Sequence, residues 1–148
     1  MGLRERINEE IKVAMKAHEA ESLATLRLLL SAVRQREVDE RITLDDAGVI
    51  AVVEKMIKQR KDSIEQFEKA ARKDLADKEK AEMALLQGYL PAQLAPAEVE
   101  AIIAEAIGAS WAKTAADMGK VMGLVKPKLA GKADMGKVSA LIKARLAG

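Results

Sequence analysis

The first 90 residues contain no proline and only three glycines, Gly2, Gly48 and Gly88. Those two residue types are the strongest helix breakers, so almost all of this stretch is free to be helical. The apolar pattern agrees. Leu3, Ile7, Ile11, Ala14 and His18 recur every three or four positions, the spacing of one helix face, and predict a first helix over 3–18. Leu23, Leu26, Leu30 and Val33 mark a second, with Ser22 as its N-cap and an end near Asp39. Thr43 and Asp46 stand at capping-box spacing before a long helix that carries Val49, Val53, Ile57, Ile64 and Phe67 on one side and reaches about Ala71. A fourth helix, from about Asp74 to Leu90, shows Leu75, Met83, Leu86 and Leu90. No segment alternates apolar and polar residues long enough to argue for a strand.

Pro91 and Pro96 bracket a short linker, which predicts an N-terminal domain over 1–91 and a smaller one over 92–148. In the second, Pro96 and Glu98 open a helix through Val99, Ile102, Ile103 and Ile107 that stops at Gly108. Two further helices carry an internal repeat: Asp117-Met118-Gly119-Lys120-Val121 returns 17 positions later as Asp134-Met135-Gly136-Lys137-Val138. Two units make a helical hairpin, short of the number a solenoid needs. Pro127 interrupts the first copy and predicts a kink or an end near Lys126. The expected fold is all-α, with about four helices followed by a three-helix domain.

Two charged residues fall on apolar stripes. Arg60 lies between Ile57 and Ile64, and Glu37 extends the second helix beyond Val33. A charge inside a helix interface normally finds an opposite partner, so Glu37 and Arg60 are expected to form a structural ion pair. The simpler alternative has Arg60 laying its stem along the core with its head in water.

Catalytic chemistry finds little support. There is no cysteine and one histidine. His18 continues the apolar stripe of the first helix, which predicts a partly buried helix-end imidazole rather than a general base. Glu9/Glu10 and Asp45/Asp46 are sequence neighbours that diverge on a helix, and Glu-x-x-His spacing is absent. No catalytic residue, metal ligand set or cofactor is assigned. The start, with Arg4, Glu5 and Arg6 and no apolar stretch behind them, argues for a cytoplasmic protein without signal peptide or membrane span.

Charge separates the two halves. The net charge of +2 combines 17 basic and 18 acidic residues up to Pro91 with 8 basic and 5 acidic after it. From Lys113 onward all 8 basic residues face only Asp117 and Asp134, a net of +6. Such a segment suits a polyanion, and Lys120, Lys126, Lys128, Lys132, Lys137 and Lys143 are its candidate phosphate contacts. Three aromatics, Phe67, Tyr89 and Trp111, are too few for a platform that stacks successive bases.

Four ordered segments resemble the YqeY family: Thr25-Leu26-Arg27-Leu28-Leu29, Lys58 through Phe67, Tyr89-Leu90-Pro91-Ala92-Gln93-Leu94, and Asp117 through Met122. The resemblance covers essentially the whole chain. Through the GatB/YqeY group it makes the chain similar in part to the tail of the tRNA-dependent amidotransferase B subunit. It implies an all-helical, two-domain protein linked to tRNA. Carbon–nitrogen ligase activity, with glutamine as amide donor, would reach the chain only through the shared tail. The resulting expectation is a non-catalytic module for tRNA or other structured RNA, with no membrane partner. Its alternative is a protein-interaction module that docks on a partner subunit, such as an amidotransferase-related protein.

Overall fold

The computed structural model of the chain describes residues 2–147. Seven α-helices account for most of them: α1 Leu3–Lys16, α2 Ala20–Glu40, α3 Asp46–Lys69, α4 Lys73–Gln87, α5 Pro96–Ser110, α6 Met118–Leu129 and α7 Met135–Ala147. A single 3-10 turn, Ala115–Asp117, precedes α6, and no strand occurs among the described residues. The chain divides into two units, Met1–Leu90 and Pro91–Gly148, each with its own apolar core.

In the first unit Ile7, Leu29, Val33, Val49, Val53 and Leu86 are fully removed from water. Each such side chain contributes roughly 2 kcal/mol through burial alone. The stripes of α1 and α3 face this core as their periodicity predicts. On α2 the buried positions are Thr25, Leu26, Leu29 and Val33, so the face is turned from Leu30 toward Leu29, and Leu28 is left half exposed. Leucines at 26, 28, 29 and 30 leave the pattern degenerate, and packing against α1 and α3 chooses among them.

The helix ends depart from sequence expectation. His18 lies beyond α1, exposed and left-handed at φ 56°, rather than partly buried on its stripe. Its amide and that of Glu19 bond back to Met15 and Ala14, which turns the chain within two residues, so α2 starts at Ala20 and Ser22 is not its cap. At α3 the cap is Asp45, whose side chain accepts the Gly48 amide at 2.9 Å. Asp46 turns to α1 instead and accepts the Leu3 amide at 2.9 Å, joining two helix starts. The helix α5 passes through Gly108, which points into open space, and ends at the left-handed Trp111. The helix α6 continues through Pro127 to Leu129, where the Ala130 amide closes it on the Lys126 carbonyl.

The expected pairing of Glu37 with Arg60 is not what forms. Glu37, at the end of α2, takes the Arg4 guanidinium of α1, with Arg4 Nε 3.0 Å from Oε2 and Nη2 3.0 Å from Oε1. The same carboxylate accepts the Leu44 amide at 2.8 Å, tying the α2–α3 connection to both helices. The Arg4 hydrogen bond, then the Leu44 amide, hold the Glu37 carboxyl below the ordinary carboxylate range. Arg60, midway along α3, faces α4 and brings its Nε to 3.3 Å from Glu82 Oε2. That Nε is buried without an aligned hydrogen bond, so charge rather than bond geometry holds the contact. Both stripe charges find opposite partners, as burial requires, but on the helices nearest to them.

Tyr89 completes the unit. It is 2% exposed, its hydroxyl donates to the Glu10 carboxylate, and the Arg6 guanidinium stands 4.5 Å over its ring while pairing with Glu10 at 2.9 Å. Burial, reinforced by the Glu10 hydrogen bond, pushes the phenol well above the usual tyrosine range.

Candidate nucleic-acid interface

The second unit is built around the repeat. Its two copies bury equivalent positions: Val121, Val125 and Leu129 on α6, and Val138, Ile142 and Leu146 on α7. With Val99, Ile103 and Ala106 of α5 they make the core. Spacing of four residues puts each trio on one helix face, so most residues between them point outward, with Met122 packed partly against the core. Equivalent outward positions carry Lys120 and Lys137, Leu124 and Leu141, Lys126 and Lys143, and Lys128 and Arg145. All six lysines expected to meet phosphate, Lys120, Lys126, Lys128, Lys132, Lys137 and Lys143, are exposed, as is Lys113. The acids of this unit other than Asp117 and Asp134 are Glu98, Glu100 and Glu105, all exposed on α5. The charge is therefore segregated, acidic on α5 and basic on the α6–α7 hairpin.

The turn between the two helices is fixed locally. Gly131 takes φ 74°, a value that favours glycine, and its carbonyl accepts Gln93 Nε2 at 2.6 Å. The Lys132 carbonyl accepts the Leu94 amide at 2.9 Å, while the Lys132 and Ala133 amides return to Leu129. Gln93 and Leu94 thus brace the hairpin turn, and Lys132 projects from backbone held on both sides.

The two repeat aspartates have different roles. Asp134 caps α7 by accepting the Gly136 amide at 2.9 Å and the Lys137 amide at 3.3 Å. Asp117 instead reaches back to the amides of Lys113 at 3.0 Å and Thr114 at 3.3 Å, and lies 3.6 Å from Lys120 Nζ. Those two amides, ahead of the Lys120 charge, hold its carboxyl below the ordinary range. The bracing of the turn by Gln93 has no signature in periodicity and is visible only in three dimensions.

Elsewhere, a groove of about 520 Å³ lies between α2 and α4, lined by Ala20, Thr25, Leu28, Lys78, Glu82 and Leu85 among others. No group of three or more acidic, histidine or cysteine side chains among the described residues is placed to hold a metal ion. No helix among them is long and apolar enough to cross a membrane.

Two separately cored helical units, the second with a basic hairpin, define a small all-helical class of protein. The family described as YqeY-like protein matches residues 4–146, and the chain belongs to it. It is 38% identical over 85 residues to altered inheritance of mitochondria protein 41, mitochondrial, of Vanderwaltozyma polyspora, a match covering 57% of this chain and 46% of that one. The like-named protein of Eremothecium gossypii is 36% identical over 101 residues, 68% of this chain and 55% of that one. That of Pyrenophora tritici-repentis is 30% identical over 132 residues, 86% of this chain and 71% of that one. In the first two of these the match spans about half the relative's length.

Proposed function

We propose that the chain is a non-catalytic RNA-associated module whose α6–α7 hairpin lies against the phosphate backbone of a structured RNA, tRNA being the first candidate. One observation carries this reading: the repeat places its lysines on the outward side of one hairpin, while the acids of α5 lie on another helix. Counterion release from phosphate supplies affinity to such a surface without base recognition. RNA helices are read in this way, by shape and charge. In this reading the N-terminal unit, 1–91, and the hairpin-bearing unit, 92–148, act as separate domains, and the chain works in the cytoplasm. The names of the relatives place them in mitochondria, a compartment that also holds tRNA. Any amide-forming chemistry belongs to a partner related to the amidotransferase. A gel shift of the full chain with total tRNA is the test. Charge reversal of Lys120 and Lys137 together should weaken the complex, and unchanged binding would reject the reading.

A further inference from the structure

Trp111 is the most exposed large apolar side chain among the described residues, at 82%. Leaving an indole in water forgoes the burial that stabilises most tryptophans. Its backbone is unusual as well. At φ 58° and ψ 27° it occupies the left-handed region at the C-terminal end of α5, where glycine is the favoured residue and a bulky one is disfavoured. Left-handed backbone also ends α1, α2 and α3, but there the residues are His18, Arg41 and Ala71, none of which exposes a large apolar surface. Trp111 alone combines both costs.

Its surroundings are basic. Lys113, two residues on, is at most about 7 Å away along the chain. The Asp117 carboxylate fixes the Lys113 amide at 3.0 Å and stands 3.6 Å from Lys120 Nζ, so one turn holds Lys113 and Lys120 at the junction of α5 and α6, where Trp111 caps α5. The helix α7 runs back along α6 from the turn at Gly131 and packs on the 3-10 turn, which brings the Lys143 and Arg145 end of α7 toward this junction. An exposed aromatic face at a junction that also carries lysines matches an unpaired nucleobase whose flanking phosphates meet those lysines.

We infer that Trp111 stacks on a single unpaired base of a structured RNA, which makes the hairpin selective for loops or ends over continuous duplex. This deepens the proposed RNA reading and rests on it. One ring cannot serve as a platform for successive bases, so a single base is the expected ligand.

Trp111 is the only tryptophan of the chain, so its own emission reports the contact. The full chain is titrated with total tRNA and, separately, with a blunt-ended RNA duplex, while binding is followed independently by anisotropy of the labelled RNA. Stacking predicts quenched emission with tRNA and little change with bound duplex. Trp111→Gly should bind tRNA roughly tenfold more weakly, bind duplex as before, and melt at a higher temperature, because glycine relieves the left-handed backbone. Trp111→Phe should restore part of the affinity. If tRNA binds but the emission and the Trp111→Gly affinity do not change, the stacking inference is overturned and the phosphate reading stands. If neither RNA binds at low salt, both fail. A blue-shifted, brighter emission would place the ring in an apolar protein pocket formed by a second copy, and would also overturn the inference.

Discussion

The Arg4 guanidinium grips the Glu37 carboxylate with Nε at 3.0 Å, and Glu37 in turn accepts the Leu44 amide at 2.8 Å. Three segments of the first unit, α1, α2 and the α2–α3 connection, therefore meet on one side chain that is 11% exposed. Because the folded carboxyl titrates below its ordinary value, the ionised form favours folding above the normal carboxylate range, near pH 4, and this contribution is lost as pH falls through the lowered value. Glu37→Gln should lower the melting temperature at pH 7. The gap from the unaltered chain should shrink as pH drops from about 4 toward 2, as followed by thermal circular dichroism. A gap that stays constant with pH would contradict this role.

Arg60 and Glu82 form a second such contact, in which only 13% and 17% of the two side chains reach water. Removing one partner strands the other. Glu82→Ala should cost about 2 kcal/mol in denaturant unfolding, whereas Arg60→Met with Glu82→Leu should recover most of that loss. A loss in the double variant equal to the sum of the losses in Arg60→Met alone and Glu82→Leu alone would show that the pair contributes no coupling.

Tyr89→Phe keeps the buried ring and removes the hydroxyl that donates to Glu10. The loss should be about 1 kcal/mol at neutral pH. The folded phenol titrates above its usual value near 10, so the hydroxyl contribution is complete below that pH and is lost as pH rises through the raised value. The phenylalanine variant should consequently show a flatter decline in stability above about pH 10. An unchanged alkaline limb in urea melts would count against the assignment.

Much of this architecture was legible in the sequence because long amphipathic helices announce themselves. The stripes of α1 and α3 bury Ile7, Ala14, Val49, Val53, Ile57 and Ile64, whereas Leu3, Ile11 and Phe67 are half-buried and His18 is exposed. The ends were less legible, for a physical reason. Asp45 and Asp46 are equally good caps by type, and only the position of Leu3 draws Asp46 away. Gly108 reads as a stop, yet the helix tolerates an exposed glycine and ends three residues later at Trp111. Periodicity also identified Glu37 and Arg60 as charges needing partners, but could not name Arg4 and Glu82, since a helical pattern fixes a face and not the neighbour across it. The basic hairpin was visible in its repeat and in its charge. Its organisation, with equivalent lysines outward from equivalent buried valines and a turn held by Gln93, required the fold.

The central claim is that this hairpin binds RNA through phosphate, and salt tests it most directly. Affinity of the full chain for total tRNA, measured from 50 to 200 mM monovalent salt, should fall by roughly tenfold or more, on a log–log slope that becomes shallower by about two when Lys120 and Lys137 are reversed to glutamate. An affinity that does not vary with salt, or a slope that the double reversal leaves unchanged, would contradict the account.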